Sequence, residues 1–276
     1  MGKEKAKKIL ENFLHELEIL NKSKHTIINY RSDLRHFLEN CSDNIDDLTV
    51  ESLRQHLSGL DSKSPTTKSR HISSLKTFLN WCYKKDYIQN NPIHKIDKEK
   101  PKVCPAKSRS VNKNSIEKVI CSINIFNQDN FIKVNNLKYR ALFTLMLEGG
   151  LKISEALNLK LEDIETDTET ILINSENKRR IPLYSSESIK LLRLYADELN
   201  IQYGLIFRGG ENEDKTLTYQ AVNRFWRKYC LKNGVNIKLQ QLRDYYAYDL
   251  VKKGFNIGVI SKLLGHRSIQ TTIKYL

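Results

Sequence analysis

Hydrophobic residues recur at helical spacing on both sides of one segment, residues 90–113, within which the periodicity stops. Three of the five prolines lie in this segment among lysines and serines, a composition typical of an extended linker. Because one helical core cannot continue through such a break, we predict two domains, and 276 residues are enough to form both cores. The predicted boundaries are 1–92 for an N-terminal helical domain, 93–113 for the linker and 114–276 for a second domain.

Four amphipathic helices are predicted before the linker. Ser23 and Ser64 are predicted N-caps, because a serine hydroxyl accepts a hydrogen bond from a free N–H group of the first turn. Pro65 is suited to the first helical position, where its missing N–H group is not needed. The predicted helices and their core-facing residues are 4–20 with Ile9, Leu10, Phe13, Leu14, Leu17, Ile19 and Leu20; 23–38 with Ile27, Ile28, Tyr30, Leu34, Phe37 and Leu38; 50–60; and a helix from 64 with Ile72, Leu75, Phe78, Leu79, Trp81 and Tyr83.

After the linker the pattern is again mainly helical, with one β signal. Residues 170–174 alternate isoleucine and leucine with polar residues, as in a strand. Residues 175–177 are of types that favour a turn, and 178–184 are expected to form the second strand, so the segment predicts a β-hairpin. The predicted fold class is therefore mostly α with a small β-hairpin or sheet. Helices are predicted at 115–125, 135–148, 153–159, 187–199, 219–232, 242–253 and 258–264.

The chain carries a formal net charge of +14, which attracts a polyanion, and nucleic acid is the first candidate partner. An alternative is that the abundant Lys, Asn and Ile reflect only an AT-rich genome. The five cysteines lack paired C-x-x-C spacing, so neither a zinc site nor a disulfide framework is expected. Because no signal peptide and no apolar run of about 18 residues are evident, we expect a soluble, cytoplasmic protein without a membrane partner.

The C-terminal stretch contains Arg243, a Leu-Gly-His turn that ends at His266, and Tyr275 nine residues after that histidine. This arrangement resembles the active site of the tyrosine recombinase (phage integrase) family, including its Xer-like archaeal and bacterial members. The segment 147–159, LEGGLKISEALNL, is similar to the family's Thr-Gly-Leu-Arg-Ile-Ser-Glu-Leu segment. With the N-terminal helices included, the resemblance covers about residues 11–275.

The resemblance implies a two-domain architecture, with an N-terminal helical core-binding (SAM-like) domain and an α+β catalytic domain that hold opposite sides of a DNA duplex. It implies a site-specific recombinase or integrase that cuts and rejoins double-stranded DNA through a 3′-phosphotyrosyl intermediate. No cofactor and no metal are implied, because the phosphotyrosyl link conserves the energy of the broken bond. Self-assembly into a dimer or tetramer on DNA is implied as well.

The chemistry explains why these residue types suit the reaction. A tyrosine hydroxyl with a pKa near 10 is a weak nucleophile, so Tyr275 must be aimed at a phosphodiester whose developing charge is neutralised. The planar fork of Arg243 can hold two non-bridging phosphate oxygens. By resemblance, His266 is a donor or proton-transfer partner at the phosphate, and a hairpin lysine is the acid for the leaving 5′ oxygen.

Three positions depart from the family pattern and complete the candidate site. Lys152 stands where the family has its first catalytic arginine, which keeps the charge but loses the bidentate geometry. Gln240 stands where the family usually has histidine or lysine, and its amide cannot transfer a proton at neutral pH. The family's hairpin lysine falls on Asn174 or Ser175, depending on a one-residue gap, so Lys178 is the nearest cation and the candidate acid.

Two alternatives to a working recombinase follow from these departures and from the shared chemistry. One is a catalytically degenerate relative that binds DNA without cutting it, and the other is an enzyme similar to type IB topoisomerases. The chain stops at Leu276, where relatives continue into a helix that docks on a neighbouring protomer, so either the chain is truncated or its assembly contacts differ. The N-terminal cations expected to contact phosphates are Lys22, Lys24, Arg31, Lys63, Lys68, Arg70 and Lys76.

Overall fold

The chain divides into two compact units, Met1–Cys104 and Pro105–Leu276. The computed structural model describes residues 2–40, 45–96, 112–174, 178–183, 187–210 and 215–276. Most of the predicted linker therefore lies outside the described residues, and the predicted domain boundaries stay a prediction. Each unit has its own apolar core, which is the property that a domain needs to fold around its own helices.

The N-terminal unit is a helical bundle whose core is centred on Phe13. The ring of Phe13 is fully buried and lies 5.3 Å from the rings of both Phe78 and Trp81, measured between ring centroids. These edge-to-face contacts join the first and fourth helices. Short 3₁₀ turns at Ile45–Asp47 and Pro92–Lys95 complete the described part of the unit. The helices are α1 (Gly2–Ile19), α2 (Lys24–Asn40), α3 (Val50–Ser58) and α4 (Pro65–Lys84).

The predicted N-caps of this unit are confirmed. The Ser64 hydroxyl accepts a hydrogen bond from the Thr67 N–H at 3.2 Å, and Pro65 occupies the first turn. The Ser23 hydroxyl accepts from the Thr26 N–H at 3.1 Å in the same way. Both helix starts could be predicted because a cap depends on residues only three positions apart.

Four residues that were predicted to face this core are exposed instead. Ile19, Leu20, Ile28 and Tyr83 each keep more than half of their accessible surface, so the prediction is wrong for them. Ile19 and Tyr83 lie in the last turns of α1 and α4, and Leu20 lies in the turn that follows α1. Ile28 lies next to the buried Ile27 and is turned about 100° away from it around the helix axis.

The C-terminal unit packs eight described helices around a separate core. At its centre the Trp226 side chain is fully buried, lies edge-on to Phe143 at 4.7 Å, and donates from its indole nitrogen to the Ile237 carbonyl at 2.8 Å. The helices are α5 (Lys113–Cys121), α6 (Asn130–Gly149), α7 (Ile153–Leu157), α8 (Glu187–Glu198), α9 (Tyr219–Lys232), α10 (Gln240–Lys252), α11 (Ile257–Leu264) and α12 (Gln270–Ile273).

Two helix boundaries in this unit differ from the predictions by four or five residues, and one helix was not predicted. The helix predicted to reach residue 125 ends at Cys121, after which Asn124 accepts the Phe126 N–H in a tight turn. Helix α6 begins five residues earlier than predicted, because Asp129 accepts the Ile132 N–H and caps it. The four-residue helix α12 was not predicted at all, since one helical turn is too short to produce a periodic pattern.

The β signal corresponds to a three-stranded antiparallel sheet. Its strands are β1 (Ile164–Glu165), β2 (Thr170–Ile173) and β3 (Arg179–Pro182), in the order β1-β2-β3. The predicted hairpin is confirmed as the β2–β3 pair, with Ile171 opposite Ile181 and Ile173 opposite Arg179. Since side chains alternate between the faces of a strand, Arg179 shares the buried face with Ile181, and Lys178 belongs to the opposite face. The part of the chain that the structure describes contains no helix long and apolar enough to cross a membrane.

Candidate active site

A cavity of about 570 Å³ opens in the C-terminal unit where α7, α10 and α12 approach one another. Its lining includes five of the six candidate residues named from the sequence, namely Lys152, Gln240, Arg243, His266 and Tyr275. Arg267 and Lys274 also line it, and the sequence analysis did not name them. Because four of the lining side chains are lysine or arginine, the cavity is suited to hold an anion.

Arg243 is held in one orientation by the backbone around it. Its side chain is 3% exposed, and its two terminal nitrogens donate to the carbonyls of Gly150 at 2.8 Å and Leu264 at 2.7 Å. Burial lowers the pKa of Arg243, while the nearby carboxylate of Glu155 opposes that shift. Gly150 has φ +60° and follows α6, and a Cβ atom there would lie 2.3 Å from Cδ1 of Tyr246. Only glycine allows this close approach, which brings the Gly150 carbonyl to Arg243.

Glu155 is a buried carboxylate that organises three cations around the cavity. Its oxygens accept two hydrogen bonds from the Arg179 guanidinium, at 2.8 and 3.1 Å, and one from the Lys152 N–H at 2.8 Å. A terminal nitrogen of Arg243 lies 3.7 Å away. Burial alone would raise the pKa of Glu155, but the bonds from Arg179 and the Lys152 N–H outweigh it and hold that pKa below its usual value.

Lys152 and Gln240 line the cavity from the starts of two helices. Lys152 occupies the N-cap position of α7, its side chain is 48% exposed, and its ammonium group lies 3.6 Å from Glu155. Gln240 is exposed at the first residue of α10. Both side chains are thus free to turn toward a ligand, in contrast to the buried Arg243.

His266 follows the left-handed turn that ends α11 at Gly265, where φ is +64°. The Nδ1 atom of His266 lies 2.7 Å from the hydroxyl of the fully buried Thr272. Burial, followed by the charges of Arg243 and Lys274, lowers the pKa of His266 to about 4. The imidazole is therefore neutral at pH 7, with one ring nitrogen already used by Thr272.

Tyr275 is 6% exposed and lines the cavity just after the end of α12. Its hydroxyl donates to the carboxylate of Asp244 at 2.7 Å. Its ring is nearly parallel to that of His266, with ring centroids 6.5 Å apart, and the Lys274 ammonium group lies 4.6 Å from the ring centre. Burial and the bond to Asp244 raise the pKa of Tyr275, so the phenol is protonated at neutral pH.

The structure does not bring Lys178 to this cavity. Its side chain is exposed, and of the charge run 178–180 it is Arg179 whose described side chain reaches Glu155. The side-chain amide of Asn174 donates to Asp163 at 2.5 Å, beside a neighbouring cavity that shares Ser154 and Glu155 with the first. Ser175, the other position considered for the family lysine, lies outside the described residues.

Four residues of the site were missed or left unresolved by the sequence analysis: Glu155, Arg179, Asp244 and Thr272. The alternation of β3 could have identified Arg179, because Ile181 on the same face is apolar. Asp244 and Thr272 carry no comparable signal, since each meets its partner through folding rather than through sequence spacing.

The N-terminal cations fall into two groups. Three of them are held by acidic residues of the same unit: Arg31 by Glu11 at 2.6 Å, Arg70 by the buried Asp33 at 2.5 Å and Lys68 by Asp61 at 2.6 Å. Those ion pairs fix the positions of the three cations. The other four are Lys22, Lys24 and Lys63, which are exposed, and Lys76, which is half-buried.

Comparisons with known families match both units. The model of the Phage integrase family matches residues 112–276, and that of the Phage integrase N-terminal SAM-like domain matches residues 10–86. A tyrosine recombinase of Thermosipho africanus is 27% identical, over 98% of this chain and 94% of that protein. Tyrosine recombinase XerA of Pyrococcus horikoshii is 26% identical, over 97% of this chain and 88% of that protein.

Solved structures show the same fold. The XerH site-specific recombinase, bound to a palindromic difH substrate after cleavage, superposes with a TM-score of 0.76 at 21% identity, over 96% of this chain and 79% of that one. A lambda integrase dimer bound to a COC′ core site superposes with a TM-score of 0.74 at 18% identity, over 97% and 94% of the two chains. The mostly helical fold class with a small sheet, predicted from the sequence, is confirmed.

Proposed function

The chain belongs to the phage integrase family, and on that premise we propose that it is a tyrosine site-specific recombinase that cuts and rejoins double-stranded DNA. The observation that carries the proposal is the presence of Tyr275, Arg243 and His266 in the wall of one cationic cavity. A scissile phosphodiester is the anion that these three side chains suit. The relatives' names, tyrosine recombinase and XerA, support the same reaction.

Binding of the phosphate is the first step of the proposed mechanism. Arg243 donates to the non-bridging oxygens with those guanidinium N–H groups that the Gly150 and Leu264 carbonyls leave available. Lys152 and Lys274 add positive charge from the cavity wall, and His266 donates a hydrogen bond as a neutral imidazole. Because Arg243 and His266 are held before the substrate arrives, they stabilise the charge that develops in the transition state.

Attack by the Tyr275 hydroxyl oxygen on the phosphorus then forms a 3′-phosphotyrosyl link and releases the 5′ oxygen of the DNA. We assign the proton for that oxygen to Lys178, the hairpin cation that the family resemblance implies, whose side chain is exposed next to β3. Lys178→Ala would then slow cleavage of ordinary DNA. It would leave unchanged the cleavage of a substrate with sulfur in place of the leaving oxygen, because a thiolate leaves without a proton.

The reaction reverses when a 5′ hydroxyl from a second strand attacks the phosphotyrosyl link. One protein molecule cuts one strand, so exchange of two duplexes calls for several protomers, and we expect a dimer or tetramer on DNA. The lambda integrase structures, a dimer on a core site and a tetramer on a Holliday junction, support this expectation. We place the reaction in the cytoplasm, where the DNA of archaeal and bacterial cells lies.

Covalent trapping tests the proposal directly. Nicked duplexes are selected from a randomised library by incubation with the protein, denaturation and recovery of protein-linked DNA. We expect a covalent adduct that Tyr275→Phe abolishes while DNA binding, measured by gel shift, is unchanged. Tight binding without any adduct, also after Lys152→Arg and Gln240→His are introduced, would contradict the proposal. The protein would then be a DNA-binding relative without cleavage activity.

A further inference from the structure

Asp244 is a carboxylate in direct contact with the atom that attacks DNA. Its Oδ1 accepts the hydrogen bond from the Tyr275 hydroxyl at 2.7 Å, across 31 residues of sequence. It directly follows Arg243 on α10, so the helix that supplies the phosphate clamp also supplies this acceptor. A nucleophile with a basic group at hydrogen-bond distance is the arrangement by which weak hydroxyl nucleophiles are activated.

The direction of this hydrogen bond also orients the nucleophile. Because the O–H bond of Tyr275 points at Asp244, the lone pairs of the hydroxyl oxygen point away from that carboxylate. A phosphorus atom approaching from the side opposite Asp244 would therefore meet a lone pair, while the phenolic proton already points at a group that can accept it. This is the geometry that general-base catalysis requires.

The polar groups that line the cavity are not placed to accept the proton of Tyr275. His266 has Nδ1 at Thr272, and its ring is stacked parallel to that of Tyr275 rather than presented to the hydroxyl. The Glu155 carboxylate is occupied by Arg179 and the Lys152 N–H. Gln240 has no titratable group, and the remaining charged groups that line the cavity are, among the residues that the structure describes, all cations.

We propose that Asp244 is the general base of the reaction, the group that takes the proton from Tyr275 as its oxygen bonds to phosphorus. The proposal rests on the recombinase function proposed above. In this step the bond from Tyr275 Oη to phosphorus forms, the bond from phosphorus to the 5′ oxygen breaks, and the phenolic proton passes to the Asp244 carboxylate. The leaving oxygen takes its proton from a lysine ammonium group and departs as a 5′ hydroxyl.

The charges around the pair suit the transfer. Arg243 and Lys274 are the cations that face Tyr275, from α10 and from the neighbouring position in the chain, and His266 is neutral. In the resting protein the bond to Asp244 helps raise the pKa of Tyr275, which keeps the phenol protonated until a phosphate is bound. The proton therefore has to leave during attack rather than before it, and an acceptor in contact is needed at that moment.

The same helix offers a matched control. Asp249 on α10 accepts a longer bond, 3.5 Å, from the Tyr245 hydroxyl and pairs with Lys253 at 2.8 Å. Asp244 contacts Tyr275, which lines the cavity, whereas neither partner of Asp249 lines it. Asp249→Asn therefore makes the same chemical change on the same helix, next to a tyrosine, without touching the reacting atom.

The experiment measures single-turnover adduct formation on the selected nicked duplex between pH 7 and 9. At pH 7 Asp244→Asn should react about 100- to 10,000-fold more slowly than the unchanged protein, the range typical for loss of a general base. Its rate should rise about tenfold per pH unit, because the phenol must then ionise before it attacks. The unchanged protein and Asp249→Asn should react at nearly pH-independent rates.

Asp244→Glu, which keeps a carboxylate, should restore the flat pH profile even if its rate is lower. The proposal is overturned if Asp244→Asn reacts as fast as the unchanged protein or faster, or if it is slow with a flat profile, since the latter indicates a structural role only. A steep profile for Asp244→Glu would overturn it too. If the unchanged protein forms no adduct, the recombinase proposal itself fails, which is a different result from failure at Asp244 alone.

Discussion

Substitution of Glu155 by glutamine probes the buried charge cluster beside the cavity. The change keeps the size of the side chain and an oxygen that can still accept the Lys152 N–H. It removes the negative charge that Arg179 and Arg243 share. These two side chains are only 8% and 3% exposed, so water cannot replace that charge. The variant thus leaves the buried Arg179 guanidinium without its carboxylate partner and leaves Asp244 as the nearby carboxylate of Arg243.

The expected loss of stability follows from that burial. Removing one partner of a buried ion pair typically costs about 3–5 kcal/mol, because the remaining charge stays out of water. Arg179 loses a two-pronged contact at 2.8 and 3.1 Å, so we expect a loss within that range for the C-terminal unit. Glu117→Gln, which removes one partner of the exposed pair with Lys113, should change stability by no more than about 0.5 kcal/mol.

Urea unfolding followed by tryptophan fluorescence can report this unit alone. The chain has two tryptophans, Trp81 in the N-terminal unit and the fully buried Trp226 in the C-terminal unit. In a Trp81→Phe background the fluorescence of Trp226 gives the free energy of unfolding of the unit that contains Glu155. A loss below about 1 kcal/mol for Glu155→Gln would refute the argument, since it would mean that water or another acid compensates the arginines.

The pH dependence gives an independent check on the same residue. The folded pKa of Glu155 is below its unfolded value, so its contribution is complete above the unfolded pKa of about 4.3 and is lost as the pH falls toward the folded value. The difference in unfolding free energy between the unchanged protein and Glu155→Gln should therefore be constant near pH 7 and shrink below about pH 4.3. A difference that is constant down to acid pH would contradict the ionic origin of the effect.

Three further predictions concern the cavity and its walls. Lys152→Arg should raise the single-turnover rate of adduct formation about 100- to 1,000-fold, because it adds a two-pronged donor; an unchanged rate would mean that lysine already suffices. Gly150→Ala should cost about 2–5 kcal/mol in urea unfolding, from left-handed strain plus the clash with Tyr246, whereas Gly254→Ala, with φ +79° and open space around it, should cost only about 1–2 kcal/mol. The His266 imidazole should titrate near pH 4 by NMR, so its stabilising contribution, complete above about pH 6.5, is lost as the pH falls toward 4; titration near 6.5 would contradict its burial.

Local patterns were sufficient to predict most of the fold. The helical periodicity and the Ser64 cap gave helix positions, because both depend on residues within one or two turns of each other. The short strand β1 was not predicted, since two residues cannot display an alternation. Ile28 was misplaced because two adjacent isoleucines share the apolar side of a helix in sequence, but only one of them met a partner in the bundle.

The site was predictable where residue identity and spacing carry the chemistry. Arg243, His266 and Tyr275 were named from the sequence, and the structure places them around one cavity. The phase of β3 decides that Arg179 rather than Lys178 turns inward, and the apolar Ile181 two positions later indicates that phase. Asp244 could not be found, because a contact across 31 residues exists only after α10 and the C-terminal turn have packed.

Arg243 has a consequence for how loss-of-function variants of this protein are interpreted. Its guanidinium ties the carbonyl after α6 to the last carbonyl of α11, so the same side chain joins two segments of the chain and presents charge to the cavity. Selection for folding alone would retain this arginine in a descendant that had stopped cutting DNA. Loss of activity in an Arg243 variant can therefore come from loss of the cavity's structure or from loss of its chemistry. Tyr275→Phe, which removes a single oxygen atom, separates the two.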